Sequence, residues 1–250
     1  MKQVNLVEVF SGIQGEGLYM GQRQVFVRFA GCNLNCRFCD TAAARGAHAE
    51  FRCETQAGTR QFHAYPNPTS ADEVLRLVRK LHASDPTHEA VSLTGGEPLL
   101  HADTIAAIAP QLHALGLGIH LETNGVLADA LAQVIDGIDV VAMDIKLESV
   151  AGQTNRFDEN RAFLAIAARG QVFVKMVVSA ATSDGELDEA CQVVAGVGAD
   201  IPVVLQPVTE GRASPERLDE AGLLRVQRVA ARRLDVVRVI PQVHKLMGCL

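Results

Sequence analysis

An α/β fold built on a parallel sheet is the architecture this sequence predicts, and three observations carry that expectation. Strand-like runs alternate with helix-like patterns along most of the chain. The 250 residues, 48% hydrophobic and 21% charged, suffice to bury one sizeable core. No repeat, low-complexity tract or Pro/Gly/Ser linker divides them, so residues 1–250 read as a single domain.

The strand-like runs are VNLVEVF (4–10), VFVRFA (25–30), AVSL (90–93), GIHLE (118–122), DVVAMDI (139–145), VFVKMVV (172–178), PVVLQP (202–207) and VVRVI (236–240). Ser70-Ala-Asp-Glu73 has the form of a capping box and predicts a helix to about His82. Further helices are expected near 102–115, where Pro110 would kink the chain, and near 159–168, 185–195 and 214–232. This alternation favours right-handed crossovers between parallel strands, in a sheet closed as a barrel or left partly open. The rhythm breaks once, at 42–69, which reads as a long insertion or loop.

Net charge is −6, from 23 Lys+Arg against 29 Asp+Glu, and no basic run tracks a phosphate backbone, so no direct nucleic-acid partner is expected. The start, MKQVNLVEVF, lacks a signal-peptide core, and the apolar stretch 126–141 is broken by Asp129, Asp136 and Asp139. A soluble, cytoplasmic protein with no membrane partner is the expectation. In a reducing compartment six cysteines are poor disulfide candidates, so a tight trio points to metal or redox chemistry.

That trio is Cys32, Cys36 and Cys39 in GCNLNCRFCDT, directly after the strand at 25–30. TGGEP (94–98), ETNG (122–125) and DIK (144–146) follow three further strands. Parallel α/β folds collect chemistry at the C-terminal ends of their strands, so these loops would share one rim. Taken singly, GG and NG turns are ordinary turn chemistry. Two groups suit three thiolates. Tetrahedral zinc needs a fourth ligand, which His48, Cys53 or His63 of the insertion could offer. A [4Fe-4S] cluster on three thiolates instead leaves one iron open to a small molecule. Cys53, Cys191 and Cys249 lack ligand spacing and read as ordinary thiols.

C-x3-C-x2-C after one strand and GGEP after the next resembles the radical S-adenosylmethionine (SAM) superfamily. With FSGIQGEG, CDT, LETNG and the ending RVIPQVHKLMGCL, the chain is similar over nearly its whole length to the 7-carboxy-7-deazaguanine synthase family. The resemblance implies a partial (β/α) barrel, usually a homodimer. It implies a lyase that converts 6-carboxy-5,6,7,8-tetrahydropterin to 7-carboxy-7-deazaguanine with loss of ammonia, in queuosine and 7-deazapurine biosynthesis. The implied cofactors are a [4Fe-4S] cluster, SAM and Mg²⁺, with a flavodoxin-like or other one-electron reductant as partner.

Carried over residue by residue, the resemblance puts the cluster on Cys32, Cys36 and Cys39, and Mg²⁺ on the hydroxyl of Thr41. SAM would meet Gly95, Gly96, Glu97, Glu122, Asn124, Asp144, Lys146, Gln206 and Pro207. The pterin would meet Ile13, Gln14, Gly15, Glu16, Arg28, Thr94, His244 and the carboxylate of Leu250. Arg28 would grip the substrate carboxylate with its planar fork. The tail 241–250 would close the site, its apolar Leu246, Met247 and Leu250 suggesting docking. Where some relatives read Ser-Pro-Lys, this chain reads Asp144-Ile145-Lys146, which is also similar to the activases of glycyl-radical enzymes. An activase and a zinc-binding interaction protein are the alternatives.

Overall fold

The computed structural model describes residues 3–209 and 217–249. Its strands are β1 (Gln3–Val4), β2 (Leu6–Ile13), β3 (Arg23–Phe29), β4 (Glu50–Glu54), β5 (Phe62–Pro66), β6 (Thr69–Ser70), β7 (Ala90–Gly95), β8 (Gly118–Thr123), β9 (Val140–Ile145), β10 (Gln171–Val178), β11 (Val203–Pro207) and β12 (Val237–Val239). The α-helices are α1 (Ala71–Ser84), α2 (Ala102–His113), α3 (Ala128–Ala132), α4 (Glu148–Ala151), α5 (Phe157–Ala167), α6 (Asp184–Ala195), α7 (Glu220–Ala230) and α8 (Val243–Met247).

Ten strands form one open sheet in the order β12-β11-β10-β9-β8-β7-β3-β2-β4-β5. From β3 through β7 to β12 every neighbouring pair is parallel. β2 runs antiparallel to β3. This is the partial barrel that the strand–helix alternation predicts, with helices on the convex face. Val74, Leu75, Leu77, Val78 and Leu81 form the buried stripe of α1, at the 3.6-residue period. Ser70 Oγ accepts a hydrogen bond from the Glu73 amide at 3.2 Å, so the predicted cap forms. Pro110 lies inside α2, and the helix continues past it to His113. The expected helix at 214–232 forms only over Glu220–Ala230; residues 210–216 lie outside the described residues.

The insertion corrects the reading of 42–69 as a loop. β4 and β5 make an antiparallel hairpin, and β4 adds to the sheet beside β2 through Glu8↔Arg52 and Val9↔Cys53. Phe51 and Cys53 enter the main core, and Phe51 stacks on Tyr65 at 5.5 Å. EFRCE alternates over too few residues to announce a strand, because its outward positions carry Glu and Arg.

The two-residue period of each strand sorts its side chains. On β10, Val174, Met176 and Val178 join the main core, while Phe173, Lys175 and Val177 face the other way. Phe173 packs with Val140, Ala142, Val204 and Ile240, against Leu18 and Tyr19. That small cluster floors the concave side and leaves the C-terminal strand ends to polar groups. No helix among the described residues is long and apolar enough to cross a membrane.

Candidate active site

Two backbone contacts fix the cysteine loop to the end of β7. The Gly96 amide donates to Phe29 O at 3.0 Å, and the Glu97 amide to Gly31 O at 2.8 Å. A Cβ on Gly96 would lie 2.0 Å from Gly31 O, so only glycine permits this approach. The far side of the loop rests on the segment after β9. There the Arg37 amide donates to Ala151 O at 2.8 Å and its guanidinium to Ser149 O at 3.0 Å.

The three cysteines line a cavity of about 500 Å³. Burial pushes the Cys32 and Cys36 thiols up from their ordinary value, so a cationic group is what would hold them as thiolates. A structural zinc would need a fourth protein ligand beside these three thiolates, whereas a [4Fe-4S] cluster on three leaves one iron open to the cavity. Of the fourth zinc ligands considered, Cys53 is 1% exposed with its thiol pushed up to about 12 by burial. His48 is half-buried and His63 exposed, and they serve Ala43 O and the edge of Tyr65.

Gly95, Gly96, Glu122, Asn124, Asp144, Lys146, Gln206 and Pro207 line the same cavity. Asn124 Oδ1 and Gln206 Oε1 are buried there without a hydrogen-bond partner among the described residues. Acceptors left open at a cavity wall fit a ligand rich in N–H and O–H donors, as SAM is. Glu97 is placed differently from the expectation for a SAM contact. It is fully buried behind the rim, where its carboxylate accepts from the Leu99 amide (3.1 Å), the Thr123 hydroxyl (2.8 Å) and the Asn124 amide (2.8 Å). Burial pushes its carboxyl up to about 7 against those three donors. Its position ties the GGEP turn to the ETNG turn.

Ile13, Gln14, Gly15, Glu16, Arg28, Thr41, Thr94 and His244 also line the cavity. The Glu122 carboxylate accepts from Gln14 Nε2 (2.8 Å), Ser92 Oγ (2.8 Å) and Thr94 Oγ1 (2.9 Å). Arg28 Nε donates to Glu8 Oε1 at 2.9 Å, and Arg52 of the hairpin holds the other oxygen of Glu8 at 2.6 Å. Glu8 thus occupies Nε and leaves the terminal nitrogens of Arg28 toward Thr41 and the cavity. The tail docks through polar contacts. The Val243 amide donates to Gly15 O at 2.9 Å, and a Cβ on Gly15 would lie 2.4 Å from the His244 ring. Leu246 is 78% exposed and Met247 46%, so the apolar docking expected of them does not occur. The chain's polar backbone, not its apolar side chains, meets the rim. Leu250 lies outside the described residues.

Sequence reasoning missed the centre of the site. Lys175 pairs with Glu16 and, at 3.3 Å, with Asp144, whose other oxygen meets Lys146 at 2.5 Å. Burial opposes charge on both lysines, but the carboxylates raise both above their ordinary range. Gln242 links Glu16 Oε1 (2.6 Å) to Asp40 Oδ2 (3.1 Å). Glu16, Asp40 and His244 bring their ligand atoms within 4.8 Å of one another, beside Thr41. The available signal was the lone charge in the apolar run VFVKMVV.

Residues 26–200 match the radical SAM superfamily. A 7-carboxy-7-deazaguanine synthase from Geobacter sulfurreducens is 44% identical over 98% of this chain and 97% of its own. One from Methanopyrus kandleri is 32% identical over 98% of this chain and 93% of its own. Among solved structures, QueE from Escherichia coli is similar in fold, with a TM-score of 0.61 at 20% identity, covering 97% of this chain and 95% of that one. The three-cysteine loop, its glycine abutment and these matches agree: the chain belongs to the radical SAM superfamily and, within it, to the 7-carboxy-7-deazaguanine synthase family.

Proposed function

We propose that the protein is a radical SAM lyase that makes 7-carboxy-7-deazaguanine from 6-carboxy-5,6,7,8-tetrahydropterin with release of ammonia, for queuosine biosynthesis. The observation that carries this reading is one cavity with two unlike walls. One wall presents the cysteine trio with Gly95, Gly96, Asn124 and Lys146; the other presents Gln14, Glu16, Arg28 and His244.

Bound at the first wall, the cluster and SAM would supply a one-electron reductive cleavage that delivers a hydrogen-abstracting 5′-deoxyadenosyl radical. Cys32, Cys36 and Cys39 would hold the cluster, and Lys146, Asn124 and Gln206 the polar groups of SAM. The chain's own work at the second wall is to bind and orient. Arg28, fixed through Nε by Glu8, offers its terminal nitrogens to the substrate carboxylate. Glu16 and Gln14 face the polar edge of a bicycle, and Lys175 keeps Glu16 ionised as an acceptor. On the family resemblance, His244 and the Leu250 carboxylate would complete that edge from the tail.

Mg²⁺ belongs to the same reading. Thr41 sits beside the Asp40 carboxylate, with the Glu16 carboxylate close by, and these oxygen donors suit a hard cation sharing substrate oxygens. A flavodoxin-like reductant and a homodimer complete it, both resting on the family resemblance. Anaerobic reconstitution, iron and sulfide analysis, and assay with SAM and the pterin test the proposal. A brown protein that releases 7-carboxy-7-deazaguanine and ammonia is expected. A loaded protein that cleaves SAM but leaves the pterin intact would overturn the substrate, and a colourless protein with one zinc would overturn the class.

A further inference from the structure

The cysteine loop is clamped from outside by a residue that no motif marks. Gln153 follows α4, and its side chain reaches back to the loop at two points. Its Oε1 accepts from the Asn35 amide at 3.1 Å, and its Nε2 donates to Cys36 Sγ at 3.3 Å. The orientation of the amide is decided chemically. A backbone N–H on Asn35 requires the oxygen, so the NH₂ group must face the sulfur. The segment that carries Gln153 is itself fastened: the Glu148 amide donates to Asn155 Oδ1 at 2.8 Å and the Ser149 amide to Glu186 Oε1 at 3.1 Å. The donor therefore stands on a fixed support. The Leu34 amide also points at a sulfur, Cys32 Sγ at 3.4 Å, but it belongs to the loop itself.

We infer that Gln153 is a positioning residue that raises the reduction potential of the cluster through its N–H···S contact with Cys36. The inference rests on the cysteine trio holding a [4Fe-4S] cluster, as proposed above. Hydrogen bonds to cluster sulfurs set the potential, together with net charge and solvent exposure. An N–H dipole with its positive end at Cys36 favours the reduced form, which carries one more negative charge. The electron must come from a separate protein, so a donor at this sulfur eases the first step of each turnover without touching SAM or substrate.

Two roles of the amide can be separated by substitution. Gln153→Glu keeps an oxygen for the Asn35 amide and replaces the N–H at sulfur by a carboxylate oxygen. Gln153→Leu removes both contacts. A loop that merely loosened would admit water, which stabilises the more charged reduced form and moves the potential up. Loss of the donor moves it down. The two roles thus have opposite signs.

The experiment is an EPR-monitored redox titration of anaerobically reconstituted wild-type, Gln153→Glu and Gln153→Leu proteins without SAM, with iron and sulfide measured in each. At the wild-type midpoint, the ratio of reduced to oxidised cluster should fall by a factor of about ten in Gln153→Glu, or about 59 mV for a one-electron couple. A smaller fall in the same direction is expected for Gln153→Leu. Loaded variants whose midpoints are unchanged or raised would overturn the inference. If Gln153→Glu loads no cluster, the direction of the Gln153→Leu shift decides alone. A wild-type protein that itself holds no cluster would refute the underlying assignment, a result that iron and sulfide analysis separates from an unshifted midpoint.

Discussion

Replacing Lys175 by methionine should cost the fold about 2–3 kcal/mol at neutral pH, and the site accounts for that figure. The Glu16 carboxyl lies at about 2, against an ordinary 4.5. Burial pushes it up, and the Lys175 ammonium leads the groups that pull it down, followed by Gln242 and His244. A displacement of that size is worth roughly 3.4 kcal/mol between protonation states, at about 1.36 kcal/mol per pH unit. Gln242 remains in the variant and 19% of the Glu16 side chain meets water, which lowers the cost to the smaller figure. The sign follows from linkage. A carboxyl whose folded value is depressed contributes its stability above the unfolded value, here 4.5, and loses it as pH falls toward 2. The deficit of Lys175→Met should therefore be full at pH 7 and shrink below pH 4.5. Because the chain has no tryptophan, urea unfolding of the cluster-free protein is best followed by far-ultraviolet circular dichroism. In a cycle with Glu16→Gln, a coupling of about 2 kcal/mol is expected. Coupling below about 0.5 kcal/mol, or a deficit that does not change with pH, would refute the argument.

Three further outcomes follow from the geometry. Gly96→Ala should lose about 1–3 kcal/mol and most of its bound iron, since the new methyl would press on Gly31 O at 2.0 Å; normal iron content would show that the abutment tolerates displacement. Thr41→Ala should keep its iron yet need several-fold more Mg²⁺ for a given rate, a difference that an unchanged Mg²⁺ titration would dispose of. His244→Ala should raise the pterin KM by about tenfold, near 1.4 kcal/mol, while SAM binding holds, and an unaltered KM would place the tail outside substrate recognition.

The frame of the molecule was legible because each long parallel strand carries its own signal. VFVRFA, DVVAMDI and VFVKMVV are buried on one face and apolar enough on the other to stand out from the helices between them. Boundaries moved by one to three residues at most of these strands, the ordinary fraying of local signals. The hairpin of β4 and β5 was hidden because its partner β2 lies far back in the chain, and pairing with a distant strand leaves no local mark. In the site, the cysteines, glycines and polar turns were readable as residue types at spacings. Their connections were not. Glu97 looks like a ligand-facing acid beside a GG turn, and only the fold reveals that three inward donors claim it. Lys175 and Gln153 escaped for the same reason: their partners, Glu16 and Cys36, come from strands or loops more than a hundred residues away.

The polar fastening of α8 bears on how the enzyme exchanges its small molecules. None of the residues of α8 is buried, and the tail reaches the rim through the Val243 amide and a few side-chain contacts. Opening there releases hydrogen bonds and almost no apolar surface, whereas parting the parallel strands would tear the main core. Amide hydrogens of 243–249 should consequently trade with deuterated solvent long before those of β8 and β9. Product can leave, and the next substrate can enter, by a peeling of the seam between the tail and Gly15 while the cysteine loop and its glycine abutment stay closed.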